Sequence, residues 1–117
     1  MTTHASRRPI VAEFSGSALR QNADRARALT APSGKVFAVI KADAYGHGLL
    51  EVAARLSPAV DEFAILELSA AQALRQHGYD GPILMLEGFF KADELQLFSQ
   101  WQLDTVIHCT DQIQTLT

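Results

Sequence analysis

The sequence predicts an α/β fold in which parallel strands alternate with helices. Three observations predict it. Four short apolar runs, Val36–Ile40, Phe63–Leu66, Ile83–Leu86 and Val106–Cys109, are continuous rather than alternating, the pattern of strands buried within a helix-covered parallel sheet. The segments between them carry apolar residues at helical spacing. Each strand-plus-helix unit is roughly 20–30 residues, about one eighth of a (β/α)8 barrel. At 117 residues the chain is too short for a complete barrel, which needs at least about 200. A compact flavodoxin-like sheet is the alternative architecture.

The elements follow in order. Residues 1–9 read as a flexible N-terminus, and Ile10–Phe14 as an upstream strand. Leu19, Ala23, Ala26 and Leu29 fall on one helical face, with Arg20, Asp24, Arg25 and Arg27 mostly on the other. Ser33-Gly34 marks a turn before the first strong strand. Leu49, Val52, Ala53 and Leu56 repeat the helical stripe, and Ser57-Pro58 closes it. Ala70, Ala71 and Leu74 form the next stripe, and Gly78 suits a left-handed helix stop. Gly81-Pro82 turns the chain into the third strand, and Leu95, Phe98 and Trp101 form the helix after it. Thr110 is placed to cap a last helix beginning at Asp111. Four such units leave two open sheet edges, which natural proteins usually cover. We therefore expect residues 10–117 to be the amino-terminal part of a longer, truncated α/β domain.

Composition excludes several function classes. Ten basic and thirteen acidic residues give a net charge of −3, which supplies no strong field for nucleic acid or an anionic membrane. The one cysteine, Cys109, cannot form an intrachain disulfide. Glu13 ends the first apolar run too early for a signal-peptide core, and no stretch approaches the roughly 20 apolar residues of a membrane span. The compartment these features predict is the cytoplasm.

The stretch that carries chemistry runs from Val39 to Gly48: Val-Ile-Lys-Ala-Asp-Ala-Tyr-Gly-His-Gly. It lies where the first strong strand ends, and loops at strand carboxyl ends build the sites of α/β folds. Lys41 offers an amine that can condense with an aldehyde to a Schiff base. Tyr45 offers a phenol that can donate to an anion. Gly46 and Gly48 permit positive φ and a close backbone approach. The helix beginning near Leu49 offers N–H groups to an anion. On composition alone the same stretch also reads as a solvated lysine before a tight turn, and Gly46-His-Gly48 is only a scrap of a dinucleotide fingerprint.

The run Ile40-Lys-Ala-Asp-Ala-Tyr-Gly-His-Gly48 resembles the pyridoxal-phosphate attachment signature of the alanine racemase family. Ala12-Glu13, Ala18-Leu19 and Asn22 resemble that family's opening strand and helix. Gly81-Pro-Ile-Leu-Met-Leu-Glu-Gly-Phe-Phe90 resembles its later strand and loop. The likeness spans residues 10–117 and implies the first part of a (β/α)8 barrel. It departs at Ser15, Gly16 and Gln21, where aspartate, leucine and histidine are common, which touches the capping and packing of the first helix. The resemblance implies pyridoxal 5'-phosphate as cofactor, alanine as substrate, and a homodimer for the full-length protein. It implies that Lys41 holds the cofactor covalently and then serves as base on one face of the substrate Cα, and that Tyr45 contacts the cofactor phosphate. The family's second acid–base residue is a tyrosine from a separate β-rich domain across the dimer. Nothing in this chain matches it, and Tyr79 is not a substitute. Little or no racemase activity is therefore expected of this chain alone. A remnant that only binds the cofactor and a broader amino-acid racemase are the alternatives.

Other candidates read as structural. The histidines at 4, 47, 77 and 108 lack metal-ligand spacing, so no metal site is expected. His47 reads as stabilising its turn, His108 and Cys109 as core or supporting residues at a strand end, and Glu87 as a solvated loop residue. Phe89, Phe90, Phe98 and Trp101 read as packing. Val39 and Leu86 are candidates to floor the pocket, although strand parity leaves their direction open.

Overall fold

The computed structural model describes residues 8–117. The elements are α1 (Gly16–Leu29), β1 (Phe37–Val39), α2 (Lys41–Tyr45), α3 (Leu49–Leu56), β2 (Glu62–Ile65), α4 (Leu68–Gln76), β3 (Ile83–Met85), a 3-10 turn (Ala92–Glu94), α5 (Leu95–Gln100), β4 (Leu103–Thr105) and α6 (Thr110–Leu116). The strands form one parallel sheet in the order β1-β2-β3-β4. Phe37 pairs with Glu62, Phe63 with Ile83, and Ile83 with Leu103. Strand order equal to chain order is what successive right-handed βα crossovers produce.

The pleat separates two faces. Phe63, Ile65, Ile83 and Met85 are fully buried and meet Leu74, Ala71, Phe98 and the apolar stripe of α3. On the other face Val39, Ala64, Leu84 and Asp104 are cross-strand neighbours. There Phe37 and Val39 remain 42% and 40% exposed. Among the described residues the helices thus cover one face of the sheet. A flavodoxin-like sheet carries helices on both, so the arc of a barrel wall is the architecture observed.

Three sequence expectations shift. The fourth strand is Leu103–Thr105, not Val106–Cys109. Gln102, at φ 52°, turns the chain into the sheet directly after α5. Val106 still donates to the Met85 carbonyl, and the chain then leaves the sheet. Ile10–Phe14 forms no strand, and Ile10 and Val11 lie exposed. The last helix starts at Thr110 with Cys109 as its N-cap and no capping side chain. Residues 1–7 of the expected flexible N-terminus, with His4, lie outside the described residues.

The amino-terminal edge of the sheet is tied by polar clamps. Arg75 donates to the carbonyls of Tyr79, Gly81, Trp101 and Gln102, which joins the loops before β3 and β4. Asp61 accepts from Val36 N at 2.7 Å and from the Arg27 guanidinium at 2.8 Å. The Val36 amide first, and Arg27 second, hold its carboxyl below the usual carboxylate range.

Candidate active site

Lys41 follows β1 at the carboxyl edge of the sheet. The buried Ile40 before it donates to the Ala64 carbonyl and keeps the chain in the sheet up to that point. The backbone then reverses its hand. Ala42, Asp43, Ala44 and Tyr45 have φ of 53°, 55°, 54° and 55°, so α2 is a left-handed turn. Each such residue costs an L-amino acid roughly 1–2 kcal/mol, and alanine gives no sequence signal for it. Gly46 at φ 87° and Gly48 at φ 97° continue the positive-φ path, as the glycine spacing predicts. A Cβ at either would meet open space, so the requirement there is conformational.

Strain of this kind persists where surrounding contacts over-determine it. Ala44 is buried in the core, and its amide donates to the Ile40 carbonyl at 3.0 Å. Gly46 N donates to Ala42 O, and Gly48 N to Asp43 O at 2.9 Å. His47 Nδ1 bonds the Ala44 carbonyl at 3.0 Å, which gives it the turn-stabilising part the sequence predicts. Leu49 N donates to Asp43 Oδ1 at 2.8 Å. That bond occupies the first amide of α3, so the expected anion-binding helix start is partly filled by the chain's own carboxylate. Sequence reasoning passed over Asp43, because it lies five residues before the N-cap Gly48 and so outside the position where an acidic side chain signals a helix start.

Lys41 and Tyr45 stand at the two ends of this turn and line different hollows. Lys41, half-buried, borders a hollow of about 120 Å³ with Ile40, Asp43, Ile65, Leu66 and Glu67. No hydrogen bond or ion pair engages its ammonium among the described residues. Tyr45, 60% exposed, borders a cleft of about 580 Å³ with Phe14, Asn22, Val39, Ile40 and His47. Val39 borders this cleft at the β1 edge, where α1 (Ala18, Leu19) and α3 (Val52, Leu56) form the rest of its wall.

The other rim residues divide. His108 Nε2 lies 3.2 Å from the Glu87 carbonyl. The buried Gln112 accepts from His108 N and donates to Phe89 O, fastening the loop after β4 to the loop after β3. Sequence reasoning missed Gln112, because a helical glutamine carries no signal of burial. Cys109 is exposed rather than in the core, since the strand ends four residues before it. Phe89 and Phe98 pack edge to face and Trp101 is half-buried, but Phe90 is 70% exposed and is not a packing residue. Tyr79 stacks on Phe63 and donates to the Pro82 carbonyl. It sits at the opposite edge of the sheet from Lys41, and burial raises its phenol above the usual range.

A parallel βα arc with helices on one face, and a lysine at the carboxyl end of its first strand, defines the amino-terminal wall of a (β/α)8-type barrel. The model of the family described as "Alanine racemase, N-terminal domain" matches residues 15–117, and the chain belongs to that family. It is 48% identical over 109 residues to an alanine racemase of Nitrosomonas eutropha, covering 93% of this chain and 30% of that protein. It is 49% identical to a catabolic alanine racemase of Klebsiella aerogenes over 93% of this chain and 30% of that protein. The structure superposes on the alanine racemase of Acinetobacter baumannii with a TM-score of 0.80 at 33% identity, over 86% of this chain and 28% of that one. For the biosynthetic alanine racemase of Pseudomonas aeruginosa the TM-score is 0.69 at 38% identity, over 86% and 26%. The chain thus spans about 30% of the length of the curated relatives it matches.

Proposed function

We propose that this chain is the cofactor-anchoring amino-terminal part of an alanine racemase that uses pyridoxal 5'-phosphate to interconvert L- and D-alanine. The observation that carries the reading is Lys41, half-buried at the carboxyl end of β1 with its amine unengaged, at the head of a strained turn that ends in Tyr45. The group supplies an electron sink that makes the substrate Cα proton acidic. The chemistry of the residues fits the group: Lys41 offers a primary amine for its aldehyde, and Tyr45, bordering the neighbouring cleft, offers a phenol with an unengaged hydroxyl for its phosphate.

In this reading Lys41 has two tasks. Its Nζ anchors the cofactor covalently and later carries the proton on one face of the substrate Cα. Tyr45 donates its phenolic proton to the phosphate. Val39 borders the cleft beside Tyr45. The family's second acid–base tyrosine, and its arginine at the pyridine nitrogen, have no matching residue in this chain. The full reaction therefore needs groups beyond these 117 residues, and a homodimer of the complete protein is the assembly proposed to bring them. The compartment proposed is the cytoplasm, on the sequence grounds given above.

The test is binding. Adding pyridoxal phosphate to the purified chain should shift the cofactor absorbance as covalent attachment does, and Lys41→Ala should abolish the shift. An unaltered shift in that variant would defeat the reading. No shift in either protein would leave only a remnant without cofactor.

A further inference from the structure

The left-handed turn between Lys41 and Tyr45 needs a restraint, because four successive non-glycine residues occupy a conformation that L-amino acids avoid. The restraint with the widest reach is Asp43. Its backbone carbonyl accepts from Gly46 N at 3.1 Å and Gly48 N at 2.9 Å, and its Oδ1 accepts from Leu49 N at 2.8 Å. These three bonds span the whole segment from the turn to the first residue of α3. Helix α3 has no capping side chain at Gly48, so the Asp43 carboxylate is its cap. The helix itself is fixed in the core by Val52, Ala53 and Leu56.

We propose that Asp43 is a positioning residue: it transmits the fixed position of α3 to the strained turn and so sets where Lys41 and Tyr45 stand relative to each other. Asp43 also borders the hollow beside Lys41; the role proposed here acts through its bond to Leu49 N, and the inference rests on the function proposed above. What matters is an acceptor at the Oδ1 position rather than negative charge. Asparagine keeps that acceptor, alanine removes it, and glutamate keeps the charge while displacing the acceptor by one methylene.

The experiment compares the 117-residue chain with Asp43→Asn, Asp43→Ala and Asp43→Glu. Circular dichroism establishes folding, titration with pyridoxal phosphate gives affinity, and amide hydrogen exchange reports on Leu49. Asp43→Ala and Asp43→Glu should bind the cofactor about tenfold more weakly or worse and exchange the Leu49 amide faster. Asp43→Asn should stay within about twofold on affinity and retain the protection. Asparagine as damaging as alanine, or alanine binding as tightly as the parent with Leu49 still protected, overturns the proposal. If Asp43→Ala does not fold, the asparagine and glutamate variants decide by the same criteria. If the parent binds no cofactor through Lys41, the functional reading itself fails. If the parent binds and Asp43→Ala binds equally well, only the positioning role fails.

Discussion

Tyr45 shows how much one side chain is asked to do. It ends a left-handed turn, lies 60% exposed beside a cleft, and has a hydroxyl that no described residue engages. A phenol donating to a phosphate is a hydrogen bond to a charged group, worth roughly 1.5–3 kcal/mol. Tyr45→Phe should therefore weaken pyridoxal-phosphate affinity by about that amount, read by titration. Unchanged affinity would remove Tyr45 from the phosphate. Ser15, which departs from the family's common aspartate, accepts from Ala18 N at 3.2 Å and caps α1 itself. Ser15→Ala should cost about 1 kcal/mol in denaturant unfolding. Gly46 and Gly48 were legible in the sequence because positive φ restricts the residue type, whereas the part proposed for Lys41 came from the resemblance of its motif and not from its residue type. Ala42 and Ala44 were not legible, since alanine's presence in a left-handed turn is imposed by the bonds around it.

The strands and helices carry two consequences of packing. Glu62 opens β2 at the amino edge, on the sheet face shared with Phe37, and is only 7% exposed. Its Oε1 has no hydrogen-bond partner, and Asp104 on β4 lies beside it. Burial first, and Asp104 second, push its carboxyl up to about 7, while Lys35 offsets part of this. A folded pKa above the unfolded value near 4.5 means that the folded state holds the proton more tightly. Its contribution to stability is complete below about pH 4.5 and is lost as pH rises through about 7. Glu62→Gln should flatten that fall and stabilise the chain above pH 7 by about 1–3 kcal/mol. Urea midpoints with the same pH dependence in both proteins would contradict it. At the same edge, Arg75→Ala removes the bonds to four carbonyls in two loops and should destabilise by about 2–4 kcal/mol. The element order was legible through helical spacing and apolar runs. The fourth strand was not, because Leu103-Asp104-Thr105 sits at an edge and mixes polar with apolar residues, whereas the more apolar Val106-Ile107 follows it in a loop.

At the largest scale, the described residues form an arc of parallel sheet. Four parallel strands present one helix-covered face and one face where Phe37 and Val39 stay exposed. The continuous apolar runs foretold burial on both faces. β2 achieves it, with all four residues buried, whereas on the edge strand β1 Phe37 and Val39 stay exposed, and the chain spans about 30% of the length of its curated relatives. The site has the same partial character. The proposed anchor, Lys41, and the proposed phosphate contact, Tyr45, lie within the described residues, whereas no residue is proposed for the opposite acid–base group. A placed acid–base group is worth about 10²–10⁴-fold, so the chain by itself should racemise alanine slowly or not at all. Turnover comparable to a complete alanine racemase in a D-alanine assay would contradict that. The central claim is the covalent anchor, and reduction with borohydride tests it most directly. Pyridoxal phosphate trapped on the protein in this way, followed by peptide mapping, should place the pyridoxyl label on Lys41. A label on Lys35, Lys91 or no residue at all would contradict the account.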